Sequence, residues 1–380
     1  MRRAPFALCL LLAFFLTLCL FADATKAYTL PTPQSAPPDT TAKAMVVLEA
    51  NNGHFLAAKN ADARLPMAST TKIMTALVVL EHLPLDRVVT VSPDAVGIEG
   101  SSVYLFAGEQ ITVETLLYAL LLSSANDAAV ALAIETAGNV ADFAALMNEK
   151  AANLGLTDTH FCNPNGLHDE AHYTTARELA ILAAHALKNE VFAKIVSTRR
   201  HTVPQNGTDA TRLFLNHNRL LANYEGAIGV KTGYTKASGR CLVSAAEREG
   251  LTLVCVTLSC PDDWRDHSKL LDWGFSEYVS FTPTPPTLTL PVVGGEYGEV
   301  PLTPSTTLSL TLPKAHGEIL CTVELPRFLF GGFEAGKEVG NLIYSQNGIE
   351  IGRIPLITAK SCAPEQPLGF WARFKRIFQK

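Results

Sequence analysis

The sequence has no CxxC pair and no cluster of Cys and His at metal-ligand spacing, which excludes the common structural-zinc and dithiol chemistries; no metal or organic cofactor is expected. It also lacks an excess of basic charge. Lys and Arg number 31 against 36 Asp and Glu, a net charge of -5, so no global field of the kind that nucleic acid needs is present, and no nucleic-acid partner is expected. Charged residues make up only 18% of the chain and hydrophobic ones 48%, within the range of an ordinary globular protein. Its 380 residues suffice for two domains with their own cores.

The chain opens Met1-Arg2-Arg3, runs apolar over 7–21, and then offers Ala22-Asp23-Ala24, the small-residue pattern after which a signal peptidase cuts. Residues 1–24 therefore read as a signal peptide, with export to the outer face of the cytoplasmic membrane or to the extracytoplasmic space. An uncleaved anchor is the competing reading, because the run is not far short of a membrane span. Lipidation at Cys19 is disfavoured by Leu18, where a small residue should stand. Of the eight cysteines, Cys9 and Cys19 leave with the leader, and Cys162, Cys241, Cys255, Cys260, Cys321 and Cys362 remain. Export permits disulfides, but the pairing stays open. Cys241 and Cys255 stand in β-type runs and read as small buried apolar residues.

Pro, Thr and Ser dominate residues 29–41 without apolar periodicity, so 25–42 is expected to be a disordered spacer. A domain over 43–280 succeeds it. Strands over 45–49 and 54–59 flank Asn51-Asn52-Gly53 and read as a hairpin. Helices are expected over 69–82, 112–122, 125–137, 139–154, opened by Asn139, and 175–187, opened by the capping pair Thr175 and Glu178. Strands over 227–231, 240–246 and 251–259 and a helix over 264–278 complete an α/β (α+β) domain. Its antiparallel sheet would take outer strands from both chain ends.

Prolines over 281–287 make a linker. Short alternating strands such as 308–312, and the turn Asn347-Gly348, then suggest a small all-β sandwich over 288–360. On a helix, residues 366–380 would gather Phe370, Trp371, Phe374, Ile377 and Phe378 on one face, with Arg373, Lys375, Arg376 and Lys380 supplying a basic one. Such a helix suits a membrane surface; docking on its own protein is the alternative.

The chemistry is carried by three short patterns. In Ser69-Thr70-Thr71-Lys72 a hydroxyl and an amine stand three residues apart, on one face of a helix and within hydrogen-bond reach. A serine is a weak nucleophile until a neighbour takes its proton, and an amine does so only when burial or another cation keeps it neutral. The Ser69 amide, near the helix start, would face an oxyanion. Ser124-Ala125-Asn126 sits at a helix junction, where a second hydroxyl could relay the proton and an amide could hold a substrate amide; simple helix capping would use the same residues. Lys231-Thr232-Gly233 ends a β-type run. There a fixed cation and a hydroxyl would bind a carboxylate while the glycine admits substrate backbone; an edge strand protected by lysine is the bland counterpart.

This ordered set resembles the penicillin-binding proteins and serine β-lactamases, most closely the low-molecular-mass D-alanyl-D-alanine carboxypeptidases of peptidase family S11. Leu65-Pro66-Met67-Ala68, Asn126-Asp127-Ala128, the FCNPNGL run over 161–167 and the LLDWGF run over 270–275 extend the resemblance over most of the chain. It implies a transpeptidase-like fold and removal of the terminal D-Ala from peptidoglycan pentapeptide stems, with β-lactam antibiotics as covalent inhibitors. By motif, Ser69 forms the acyl-enzyme and Lys72 is the base. Ser124 and Asn126 assist, Lys231, Thr232 and Gly233 bind substrate, and the amides of Ser69 and Tyr234 form the oxyanion hole. Ala125 and Tyr234 depart from the glycine and histidine common there, at positions that contribute mainly backbone. Some relatives carry an arginine near His217, to which Arg219 is not clearly equivalent, and this puts carboxylate affinity in question. A serine β-lactamase and a catalytically silent peptidoglycan-binding protein are the alternative functions.

Overall fold

The structure, a computed structural model, describes residues 33–204 and 210–365. The expected signal peptide and the amphipathic segment 366–380 lie outside the described residues. The described chain divides into two units, one of residues 33–284 with 307–316, the other of 285–306 with 317–365.

The first unit begins with the hairpin β1 (Ala44–Glu49) and β2 (Phe55–Lys59), then a 3-10 turn at Ala68–Thr71 that runs into α1 (Lys72–His82). A short pair, β3 (Val88–Thr90) and β4 (Gln110–Thr112), precedes α2 (Val113–Leu122), α3 (Asn126–Ala137), α4 (Val140–Asn153), α5 (Ala176–Leu187) and α6 (Glu190–Ser197). A second pair, β5 (Arg200–Pro204) and β6 (Thr211–Leu215), and the turn α7 (Leu220–Asn223) lead to β7 (Ala227–Thr235), β8 (Gly239–Arg248), β9 (Leu251–Leu258) and α8 (Asp263–Glu277). The helix starts obey the capping logic: Thr112, Asn139 and Thr175 accept from the amides of Thr115, Asp142 and Glu178. The Glu178 carboxylate does not close a capping box; it accepts from Asp158 N and Thr159 Oγ1 and ties down the loop before α5.

The main sheet runs β2-β1-β9-β8-β7, antiparallel throughout, so the N-terminal hairpin forms one side and β7 is the opposite edge. Period-two alternation divides its residues between two cores. Ala44, Val46 and Leu48 of β1 join a large cluster with Ile73 and Leu77 of α1, Leu116 and Leu120 of α2 and Leu132 of α3. Met45 and Val47 face the other way, onto Leu270, Leu271 and Trp273 of α8. Every residue of α1 from Lys72 to Val79 and of α3 from Asn126 to Ala133 is buried, as expected for helices apolar on all sides.

Two boundaries differ from the sequence expectation. Residues 33–42 are not a loose spacer: Gln34 and Ser35 amides donate to the Glu277 carboxylate at 2.6 and 3.2 Å, Trp273 Nε1 donates to Ser35 O, and Thr41 N donates to Asp266. Pro-rich composition hid these bonds because they are made to backbone. The alternating strand assigned to the second domain, β13 (Leu310–Pro313), instead pairs with β10 (Tyr278–Phe281) in the first unit, where Leu310 and Leu312 are buried.

The second unit contains β11 (Leu288–Val293), β12 (Glu299–Pro304), β14 (Leu320–Glu324), β15 (Leu329–Phe330), β16 (Glu338–Gln346) and β17 (Ile349–Thr358). It is β-rich, as expected. Its strands pair in the order β14-β16-β17-β12-β11-β15, antiparallel except for the parallel β11–β15 pair. All six cysteines in the described residues are free thiols, and Cys241 and Cys255 are buried at 1% and 0% exposure among apolar neighbours.

Candidate active site

Ser69 lies in the 3-10 turn, one residue after Ala68, whose φ of 48° forces the chain into the left-handed region. Two hydroxyls hold this turn by bonding backward: Thr70 Oγ1 donates to Met67 O at 2.7 Å and Thr71 Oγ1 to Ala68 O at 2.8 Å. The loop over 161–167 packs beneath it. Thr75 Oγ1 donates to Pro164 O at 2.6 Å, and Asn163 and Asn165 side chains accept from the amides of Gly166 and Leu167. Gly166 has φ +85°, and a Cβ there would fall 2.0 Å from Ala68 O, so only glycine lets this loop approach the Ser69 turn. Thr71 Oγ1 also meets His172 Nε2 at 2.7 Å; burial pushes the His172 imidazole down to about 4, so this contact is made by a neutral ring near pH 7.

The Lys72 amine is fully buried. It lies 2.9 Å from Ser69 Oγ, 2.7 Å from Asn126 Oδ1 and 2.6 Å from Asn165 O. Burial first, and then the charge of Lys231, hold its pKa well below 10.5, while Asp127 opposes them. A neutral amine has two N–H bonds and one lone pair. In the structure Nζ stands as donor to all three; the two shortest contacts are to a side-chain carbonyl and a backbone carbonyl, groups that only accept, so once the amine is neutral they hold both N–H bonds and the lone pair is left for the serine hydroxyl. Asn126 is itself fixed, since its Nδ2 donates to Glu99 O at 2.5 Å and its amide to Ser101 O at 2.7 Å.

Ser124 stands in the break between α2 and α3 with φ 58° and is 5% exposed. The capping alternative for this motif fails here: the N-cap of α3 is Ala125, with no side-chain cap bond, and Asn126 points at Lys72. On the opposite wall, β7 continues through Lys231-Thr232-Gly233 to Thr235 and does not stop at the motif. A Cβ on Gly233 would come 2.9 Å from Ser69 N and 3.1 Å from Met67 O, so glycine sets the close approach of this edge strand to the Ser69 amide. Lys231 is 1% exposed, donates to Thr232 O at 2.9 Å, and is pushed down to about 7 by burial.

Ser69, Ser124, Thr232, Gly233 and Tyr234 line one cleft of about 600 Å³, together with His217, Arg219 and Arg240. Arg240 is engaged with Asp263 at 3.0 Å. A larger, more open depression of about 750 Å³ beside Asp62 and Arg177 contains none of these groups and offers no comparable chemistry. The structure thus brings every site residue named from the sequence to one place. It adds the Asn165 carbonyl, which sequence reasoning left without a role; the Asn-Pro-Asn-Gly turn was its only signal.

A serine whose proton is within reach of a buried, three-residue-distant amine, set between a helical layer and the edge of an antiparallel sheet, defines a serine hydrolase of the Ser-x-x-Lys class. Residues 31–262 match the family model described as D-alanyl-D-alanine carboxypeptidase. The chain is 31% identical over 354 residues to the D-alanyl-D-alanine carboxypeptidase DacF of Bacillus subtilis, covering 88% of this chain and 91% of that one. It is 40% identical over 266 residues to a D-alanyl-D-alanine carboxypeptidase of a Streptomyces species, covering 64% and 91%. Penicillin binding protein 5 from Haemophilus influenzae superposes with a TM-score of 0.71 at 30% identity, over 87% of this chain and 99% of that one. The chain belongs to the D-alanyl-D-alanine carboxypeptidase family and is a serine-type hydrolase.

Proposed function

We propose that this protein removes the terminal D-Ala from peptidoglycan pentapeptide stems through an acyl-enzyme on Ser69, and that it serves cell-wall remodelling. The observation that carries the mechanism is the placement of Lys72 Nζ, 2.9 Å from Ser69 Oγ and anchored on Asn126 Oδ1 and Asn165 O; in the neutral amine those two carbonyls take both N–H bonds and the lone pair is left for Ser69 Oγ. Ser69 attacks the carbonyl of the penultimate D-Ala as its proton passes to Lys72. The amides of Ser69 and Tyr234 hold the oxyanion, and Lys231 with Thr232 takes the terminal carboxylate. When the tetrahedral adduct collapses, the C–N bond breaks and the Lys72 proton reaches the leaving amine through Ser124. Water then hydrolyses the ester by the same path, restoring Ser69.

Burial alone pushes Lys231 down to about 7, and a substrate carboxylate beside it would favour its charged form. Arg219 and His217 on the cleft wall are further candidates to face that carboxylate. The leader and the basic amphipathic segment support export and attachment to the outer face of the cytoplasmic membrane. The test is covalent labelling with a fluorescent penicillin, with Ser69→Ala alongside, and assay of D-Ala release from a pentapeptide ending in D-Ala-D-Ala. Labelling lost in the variant together with release by the parent supports the reading. Labelling without release would move the function to another acyl substrate.

A further inference from the structure

One end of the β-rich unit carries an exposed apolar patch. Val293 of β11 pairs in register with Phe330 of β15, so both side chains project from one face of the sheet. Phe328 packs edge-on against Phe330 with ring centroids 5.2 Å apart. These three side chains are 49%, 69% and 43% exposed for Val293, Phe330 and Phe328. The described chain also ends here: Gly331 N donates to Val293 O at 3.0 Å, Gly332 N to Cys362 O at 2.7 Å, and Glu365 N to Gly294 O at 2.8 Å. The backbone therefore leaves at Glu365 beside the residue after Val293. Residues 366–369 can span up to about 14 Å, enough to bring Phe370 and the rest of the C-terminal segment onto the patch.

The sequence beyond 369 is complementary to this surface. It supplies an apolar set, Phe370, Trp371, Phe374, Ile377 and Phe378, with Arg373, Lys375, Arg376 and Lys380 and no acidic side chain. The exit is rimmed by Glu296, which accepts from Ala363 N at 3.3 Å, by Glu334, which accepts from Ser361 Oγ at 2.8 Å, and by Glu365. Of the nearby cations, Lys360 is engaged over the Tyr297 ring at 3.7 Å and Lys337 over the Phe333 ring at 5.8 Å, while Arg327 precedes Phe328.

We propose that Val293, Phe328 and Phe330 are the dock for the chain's own C-terminal segment, residues 370–378, in the lipid-free protein, and that a membrane competes with this dock for the same apolar residues. The inference stands on the β-rich unit and on the tail's sequence, independently of the catalytic reading. The test uses the full chain with the photocrosslinker p-benzoylphenylalanine in place of Phe374, irradiated without lipid, with adducts located by mass spectrometry. Intramolecular adducts are expected on peptides containing Val293 or Phe328 and Phe330. Their yield should fall at least fivefold in Phe328→Ser/Phe330→Ser and at least fivefold when vesicles of phosphatidylglycerol and phosphatidylethanolamine are added. Should the double variant lose the melting transition of its β-rich unit, Val293→Lys, at a single exposed strand position, gives the same comparison. Adducts elsewhere or between copies, a yield unchanged in the variants, adducts formed only with vesicles, or a yield indifferent to vesicles would each overturn the proposal.

Discussion

Replacing Lys72 with Met separates the chemical role of the amine from its place in the core. Methionine has similar length and no polar end, so it fills the fully buried position without a cavity. Two effects on stability oppose each other. Asn126 Oδ1 loses its lysine donor, at about 1–3 kcal/mol, and Asn165 O keeps only the long contact from Ser69 Oγ at 3.4 Å, while the cost of burying an amine whose pKa is held well below 10.5 disappears. Lys72→Met is therefore expected to melt within several degrees of the parent. Acylation is a different matter, because nothing else described within bonding distance of Ser69 Oγ can take its proton: the other contact, Asn165 O at 3.4 Å, is an amide carbonyl. General-base assistance contributes about 10²–10⁴-fold, or about 3–5 kcal/mol of barrier. The second-order rate of labelling by a fluorescent penicillin, measured at neutral pH on protein whose fold is checked by circular dichroism, should drop by that factor. A Lys72→Met protein that is folded and acylates within about threefold of the parent would refute the assignment.

The pH dependence comes from two depressed lysines: neutral Lys72 increases as pH rises through its lowered pKa, whereas charged Lys231 is lost as pH rises through about 7, so kcat/KM for a carboxylate substrate should be bell-shaped. A substrate analogue without the carboxylate should lose the falling limb, and a falling limb that persists would remove Lys231 from that role. Because Lys231 binds its proton more weakly folded than unfolded, its burial destabilises the fold below about pH 7 and ceases to do so above 10.5; denaturant midpoints should rise with pH across that window, less steeply in Lys231→Met. Gly166→Ala should cost several kcal/mol in denaturant unfolding and at least tenfold in acylation, since its Cβ would meet Ala68 O at 2.0 Å in a left-handed backbone. Gly233→Ala should leave the melting point within a few degrees yet slow acylation at least tenfold, by pushing β7 away from the Ser69 amide that its Cβ would approach to 2.9 Å; labelling at the parent rate would contradict the close-approach argument.

The layers of the catalytic unit were legible because they obey simple periods. β1 is a short apolar run closed by Asn51-Asn52-Gly53, apolar at every position to Leu48 because its odd and even residues enter different cores, and Thr112, Asn139 and Thr175 mark helix starts by the side-chain oxygen they offer. The illegible parts depend on pairing at a distance. Residues 33–42 carry no apolar signal because they are held by their backbone amides on Glu277 and Asp266, and β13 alternates as any strand does, so its pattern could not say which sheet it would join. Helix α6 and the two short strand pairs also went unread. Each is too short for a period to stand out.

The three motifs meet because each sits where a regular element ends or faces open space. Ser69 is in the turn before α1, Ser124 in the left-handed break between α2 and α3, and Lys231-Thr232-Gly233 on the edge strand. Side chains in mid-helix or mid-sheet would be covered by neighbours; those at a break can be buried against one another and still face a cleft. The same reasoning explains why Asn165 escaped a reading based on side chains. Its contribution to Lys72 is a backbone carbonyl, aimed by a turn that Asn163 and Gly166 enforce, so the sequence encodes the position through the glycine and not through the residue that makes the bond. A substitution such as Asn165→Ala would keep that carbonyl and lose only the Leu167 amide bond, whereas Gly166→Ala displaces it; the first should therefore acylate much faster than the second.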